Sequence, residues 1–518
     1  MKVSTVNDNK NEHALYLLCA GGLAVFFIST ITYIALRTGF VSYDSWYYLR
    51  LAESVLTNGA CHVRGEYFAV FPCGYSAMIA GLSWLTGMDV FHSSKVLNFL
   101  LLCGSGVLIF LATGSALFGF LFVVNPVVLS IGHYTWSENA FILSFSMIFY
   151  SLTKMYYGNY SLKIFSMLML GLLIGVSTRY FFGPYAFLIF MASLMVYGKK
   201  VSIRAFPVFA VSGILFLLYY YYNNSMTGYG SGRPRVTPPE SVIYLTVNFF
   251  EYLAKDFLVY FISVSPLLVM LVVFMYKKKK PISDFDCTPY LFLSLLGLGY
   301  ISIAFVLRIY VHYDLYGTRT VGYGISFLLS SLLSMACMRY YVKVYSLVVM
   351  AFVGVLSTVL SHKDYYLTFL DENRGADWGQ TYQEAISNYS SGLSISGAVV
   401  SFDVPRVKRY VAENIDIFYG ENVVVLSPKA APYNEKESYY DFKERVIDSG
   451  MECFYDFSRV NSQGDFKKIV DAKYALDIGE GALNNIVLDF RYSDSVRLHF
   501  KEVFDPGRVI PCDFASSR

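Results

Sequence analysis

The sequence predicts an α-helical polytopic membrane protein with a small α/β domain near its C-terminal end. Three observations carry that expectation. The 518 residues are 55% hydrophobic and only 15% charged. Several apolar runs approach or exceed the roughly 18 residues needed to cross hydrocarbon. After about Ser394 the long runs give way to short strand-like segments alternating with helix-like ones. A net charge of +3 is close to balanced and gives no reason to expect a nucleic acid partner.

The first run, Ala14 to Leu36, is longer than a signal-peptide core and lacks a small-residue cleavage site before Arg37, so it reads as a retained span. Further spans are expected at Lys95 to Thr113, Ser115 to Ile131, Asn139 to Leu152, Ile164 to Ser177, Phe181 to Tyr197, Phe206 to Tyr222, Phe257 to Tyr276, Leu291 to Leu307, Val321 to Cys337 and Val344 to Leu360, about eleven in all. Alternating from a cytoplasmic N-terminus puts Lys154, Lys163, Lys199, Lys200, Arg204, the run Lys277 to Lys280, Arg339 and Lys343 inside, as the positive-inside rule requires. The transmembrane domain is then 1–361, with a first outer loop at 37–94. A linker at 362–393 leads to an extracytoplasmic α/β domain at 394–518.

In the first loop, SYDSWYYLRLAESVL (Ser42 to Leu56) spaces Tyr48, Leu51, Ala52, Val55 and Leu56 as one apolar helix face. It reads as an amphipathic helix on the membrane surface. Asp44 falls in its first turn, where an acid either only starts the helix or serves a site at the lipid boundary. Arg64 and Glu66 read as a solvated pair or a functional one. Pro72 and Gly74 punctuate Phe71 to Tyr75, FPCGY, ahead of another apolar helix.

Other polar residues fall at the outer ends of spans. Glu138 stands at the mouth of one, where an acid is solvated or functional. Arg179 stands at another, either snorkelling to headgroups or binding phosphate with its planar fork. The outer loop Asn223 to Asp256 carries Arg233 and Arg235 in SGRPRVTPPES, a substrate lid or a solvated linker. Arg308 to Gly324 carries His312, Asp314 and Arg319. Trp136 and Tyr219 to Tyr222 suit an interfacial belt, as His133 suits the interface. Of eight cysteines, the topology puts Cys61, Cys73, Cys453 and Cys512 outside, where an oxidising compartment permits Cys61 to Cys73 and Cys453 to Cys512 disulfides. No CxxC or His-rich metal spacing appears.

In the C-terminal part, the runs GAVVSFDV, NVVVLSP, YALDI, IVLDF and VRLHFKEVF alternate with helix-like stretches at Pro405 to Asn414 and Tyr439 to Asp448. No GxGxxG and no nucleophile signature occurs there. Acceptor recognition or packing on the membrane part is the expected role.

Asp44 and Tyr48 in a D-x-x-x-Y-like context just after the first span, followed by F-P-x-G-Y, resemble the GT-C superfamily of membrane glycosyltransferases. The similarity is to the branch holding protein O-mannosyltransferases and the lipid A aminoarabinose transferase. Cys73 stands where those enzymes usually have a second Pro. The resemblance matches Ser137 and Glu138 to an S/T-E pair with a donor-site or second-acid role, and Thr178 and Arg179 to a T-R pair. It matches Arg319 to the basic residue of an R-Y-like motif, with Thr320 in place of Tyr.

It implies transfer of a sugar from a polyprenyl-phosphate donor to an acceptor hydroxyl on the outer face, as in cell-envelope glycan or lipopolysaccharide assembly. Asp44 would act as base in an inverting single displacement, while Arg179 and Arg319 meet the leaving phosphate; Tyr48, Arg233, Arg235, His312 and Asp314 are lid or acceptor candidates. The partners would be that donor, membrane lipid, and a glycan, glycolipid or protein acceptor. No cofactor is expected; a divalent cation, for which Asp44 and Glu138 are the available ligands, is not favoured. The compact size suggests a bacterial inner membrane. A lipid-linked glycan flippase is the alternative from another class, but it would place charges mid-span, and these spans are almost free of them. An O-antigen polymerase or ligase is a further alternative, though its large outer loop typically lies between spans.

Overall fold

In the computed structural model of the chain, residues 4–38, 43–63, 66–231, 241–255, 257–258, 286–311 and 316–338 are described, with six short strands between 398 and 511. The chain divides into two units. One comprises Met1–Phe40, Phe71–Met88 and His92–Gly375; the other comprises Val41–Val70, Asp89–Phe91 and Ala376–Arg518.

The first unit is helical. Its elements are α1 (Ser4–Thr38), α3 (Gly74–Thr86), α4 (Val90–Thr113, from His92 onward), α5 (Ala116–Val123), α6 (Pro126–His133), α7 (Glu138–Tyr156), α8 (Leu162–Thr178), α9 (Phe182–Val196), α10 (Lys199–Thr227), α11 (242–255), α12 (Thr288–Val311) and α13 (Thr318–Met338). Among the described residues, four stretches are long and apolar enough to cross a membrane: Leu18–Leu36, Val90–Thr113, Lys199–Thr227 and Thr288–Tyr310. The spans expected at Phe257 to Tyr276 and Val344 to Leu360 lie outside the described residues.

The continuous span expected at Ser115 to Ile131 is instead broken, with α5 and α6 meeting at 51°. Pro126 has no amide hydrogen to donate and forces the preceding residue into extended backbone. Asn125 accordingly sits at φ −138°, ψ 156° and its side chain joins the two helices. Its Nδ2 donates to the Leu121 and Phe122 carbonyls at 3.1 and 3.0 Å, and its Oδ1 accepts from the Val128 amide at 3.1 Å.

α7 is buried along nearly its whole length, which lets it carry serines inside an apolar protein. Ser144 Oγ donates to the Gly171 carbonyl of α8 at 2.7 Å. A Cβ on Gly171 would meet Met147 and the Ser144 carbonyl at 3.0 Å, a tight contact that glycine avoids. α12 and α13 close in the same way. A Cβ on Gly297 would lie 2.6 Å from the Gly324 carbonyl.

The second unit holds α2 (Tyr43–Asn58), the hairpin β1 (His62–Val63) and β2 (Glu66–Tyr67), and the strands of the C-terminal part. Gly59, at φ +68°, ends α2 in the left-handed conformation that glycine adopts without strain. Ser54 Oγ then donates to the Ala60 carbonyl at 2.8 Å and accepts from the His62 amide at 3.1 Å, folding the chain back. Tyr47 stacks on Phe68 with ring centres 5.2 Å apart. The stripe expected to face lipid is therefore covered by protein: Tyr48, Leu51 and Ala52 are buried, and Leu56 is exposed.

Among the described residues of the C-terminal part, β3 (Ala398–Val400), β4 (Val424–Val425), β7 (Tyr474–Leu476) and β8 (Val509–Pro511) form one sheet in the order β4-β3-β7-β8. β5 (Phe454–Tyr455) and β6 (Ile469–Val470) pair separately. β3 runs parallel to both β4 and β7, while β7 and β8 are antiparallel. Parallel neighbours need crossover connections. The helix-like stretches at Pro405 to Asn414 and Tyr439 to Asp448 lie outside the described residues.

Cys61 and Cys73 are both disulfide-bonded, whereas Cys19 and Cys103 are free thiols. Cys453 and Cys512 lie outside the described residues. A membrane-impermeant maleimide is expected to leave Cys61 and Cys73 unlabelled on intact cells until a reductant is added. Labelling without reductant would show them to be free thiols.

Candidate anion site at the start of α7

α6 ends at His133 and α7 begins at Glu138, so residues 134–137 make a tight turn. Glu138, in the first turn of α7, is fully buried. Its Oε1 pairs with Arg179 Nη1 and with Arg319 Nε, and Ser137 Oγ donates to Oε2 at 3.4 Å. Burial alone disfavours an ionised carboxylate, but two guanidiniums on one oxygen offset that penalty. These three side chains carry two positive charges and one negative. A carboxylate held in this way is a poor proton donor and a good anchor.

Each arginine is placed by local structure. Arg179 leaves α8 in extended backbone, at φ −150° and ψ 129°, and its carbonyl accepts from the Phe182 amide at 3.0 Å as α9 starts. It is 7% exposed, so it is not snorkelling to headgroups. Arg319 lies in the first turn of α13. The Gly317 amide donates to Thr320 Oγ1 and the Thr320 amide to the Gly317 carbonyl, both at 2.9 Å. Thr320 thus caps the turn that carries Arg319, a role the tyrosine of the R-Y-like motif could not fill.

Trp136 is part of this cluster. The Arg319 guanidinium lies 4.9 Å from its ring centre, a cation–π contact, and Tyr134 stacks on it at 4.1 Å and 10°. This replaces the belt role expected for Trp136, whereas Tyr220, Tyr221 and Tyr222 are exposed as a belt requires. Below the ions, Tyr323 donates to the Glu138 carbonyl at 3.1 Å. Phe141 meets Tyr323, Tyr300 and Phe182 at 6.2, 5.7 and 6.2 Å. That aromatic floor keeps water away from one side and strengthens the electrostatics above it.

The tertiary structure therefore gathers three of the expected site residues, Glu138, Arg179 and Arg319. Asp44 belongs to the second unit, in the first turn of α2 and partly exposed; Tyr48, four residues on, is buried. Arg64, Arg233, Arg235, His312 and Asp314 lie outside the described residues. His133 is buried rather than interfacial. Sequence reading misses Trp136 and Tyr323, which meet Arg319 and the Glu138 carbonyl. The one signal for Trp136 is its place two residues before Glu138.

Glu138, Arg179 and Arg319 thus form a buried cluster of one acid and two arginines at helix ends of the first unit. No protein-family model matches the sequence, and no curated protein sequence matches it. Among solved structures, the chain is similar to the crystal structure of ArnT from Cupriavidus metallidurans bound to undecaprenyl phosphate. The TM-score is 0.53 at 10% identity, over 78% of this chain and 85% of that one. The apo form of the same protein gives a TM-score of 0.52 with the same identity and coverage. At this identity the likeness is one of fold alone.

Proposed function

We propose that this protein is a GT-C glycosyltransferase that moves a sugar from a polyprenyl-phosphate donor to an acceptor hydroxyl at the outer face of a bacterial inner membrane. The observation that carries the reading is the buried cluster of Glu138, Arg179 and Arg319 on a fold like that of a protein crystallised with undecaprenyl phosphate. A guanidinium stays charged at all working pH values and matches phosphate geometry with two donors.

In the reaction, Asp44 accepts the proton of the acceptor hydroxyl while that oxygen attacks the anomeric carbon. The carbon–oxygen bond to phosphate breaks, and its electron pair leaves with the polyprenyl phosphate. Arg179 and Arg319 stabilise the charge growing on that group. One displacement inverts the anomeric centre. We assign about eleven spans to the membrane part, acceptor recognition or packing to the C-terminal domain, and a Cys61 to Cys73 bond to the first loop.

Arg179→Ala tests the donor side of this scheme. With a charge-assisted hydrogen bond lost, the KM for polyprenyl-phosphate sugar is expected to rise roughly 10- to 100-fold while the KM for acceptor stays within about twofold. The measurement is sugar transfer by the purified full-length protein in liposomes with each substrate varied in turn. An unchanged donor KM would remove Arg179 from phosphate binding.

A further inference from the structure

The turn that carries Trp136 and Glu138 is held by side chains reaching across from α4. Lys95, 1% exposed, donates from Nζ to the His133 carbonyl at 2.7 Å. One turn further along α4, Asn98 Nδ2 donates to the Gly132 and Tyr134 carbonyls at 3.2 and 2.8 Å. Tyr75 donates to Asn98 Oδ1 at 2.6 Å and fixes that amide's orientation. Ser94 Oγ and Thr135 Oγ1 share a hydrogen bond of 2.8 Å. From the other side, Asn139 Nδ2 donates to the Tyr134 and Trp136 carbonyls, each at 3.1 Å.

These are the last carbonyls of α6 and the first of the turn, the groups a helix leaves without intrahelical partners. A cation there also meets the negative end of the helix dipole. A buried ammonium is costly to place among apolar spans, and a neutral donor would satisfy a carbonyl without that penalty. Lys95 serves the geometry of the turn: it ties the turn to α4 at the point from which Trp136 meets Arg319.

We propose that Lys95 is a positioning residue for the anion site, acting through the 133–137 turn to set Trp136 beneath Arg319 and Glu138 between the two arginines. Its bearing on catalysis rests on the glycosyltransferase reading above; its bearing on the turn does not. The experiment separates the two. In full-length protein with Trp46, Trp84 and Trp378 replaced by Phe, the remaining Trp136 reports on the turn by its emission. Lys95→Met is expected to shift that emission to longer wavelength, and Lys95→Arg, which keeps a charged donor, to leave it close to the parent.

Binding of undecaprenyl phosphate to the otherwise native protein, against undecaprenol as control, is expected to weaken about tenfold in Lys95→Met, the order of one unsatisfied buried hydrogen bond. On an Arg319→Ala background the same change is expected to weaken it by less than about twofold, because coupled residues are not additive. Unchanged Trp136 emission, or additive losses in the double variant, would overturn the positioning role. Shifted emission in a protein that does not distinguish undecaprenyl phosphate from undecaprenol would support the clamp and overturn the phosphate reading. If Lys95→Met does not accumulate in membranes, Thr135→Val opens the neighbouring Ser94–Thr135 link; the same shift supports the role, and its absence overturns it.

Discussion

Asp44→Asn is expected to lower the rate of sugar transfer by roughly 10²- to 10⁴-fold, the range a positioned general base supplies, while leaving insertion and thermal stability unchanged. Asn keeps the size and one acceptor oxygen of Asp but cannot take a proton at neutral pH. Asp44 lies in the first turn of α2, a helix whose burial rests on Tyr47, Tyr48, Leu51 and Ala52, so the substitution leaves its packing intact. The check is transfer of labelled sugar by protein matched for amount and melting temperature. Turnover within about threefold of the parent would remove the acid from the mechanism and leave it as a helix-start residue.

Glu138→Gln is the substitution with the largest expected effect on stability. It keeps the side-chain volume and removes the negative charge with which Arg179 and Arg319 pair. Removing one partner of a buried ion pair destabilises by roughly 3–5 kcal/mol, because the remaining charge is left uncompensated. Thermal unfolding of the detergent-solubilised protein should show that loss. Adding Arg179→Met removes one of the two positive charges, so the double variant is expected to be more stable than Glu138→Gln alone. A Glu138→Gln protein as stable as the parent would mean that the carboxylate does not hold the arginines. A Glu138 acting chiefly as an acid would instead show lost turnover with unchanged stability.

How much of this was legible beforehand differs from residue to residue. Glu138, Arg179 and Arg319 can each be placed at a span end from the sequence, since an apolar run and the first charge after it are local properties. That they share one carboxylate oxygen is not local, because Arg319 and Glu138 are 181 residues apart in the chain. The bend at Asn125–Pro126 had a local signal in the proline, but a hydropathy run averages over one residue, and the Asn125 side chain is what completes the corner. The stripe on α2 was legible as a buried face; periodicity states that a face is covered and not by what. Trp136 illustrates the same limit, since an aromatic at a span end suits lipid as well as it suits a guanidinium.

The sequence by itself indicated that this is a polytopic helical protein, that several of its acids and arginines stand at helix ends, and that its outer segments carry motifs resembling those of the GT-C superfamily. Composition and spacing are enough for that, because the membrane demands long apolar helices with charges at their ends. Only the tertiary structure decided that Glu138, Arg179 and Arg319 form one cluster, that Trp136 meets Arg319, and that α6 is a separate short helix. Ion pairing needs atoms within a few ångströms of one another, and that depends on how far each helix slides along its neighbours. Glycine lets α8 come close to α7 and α13 close to α12, and the local pattern of either segment does not say where along the partner that approach falls.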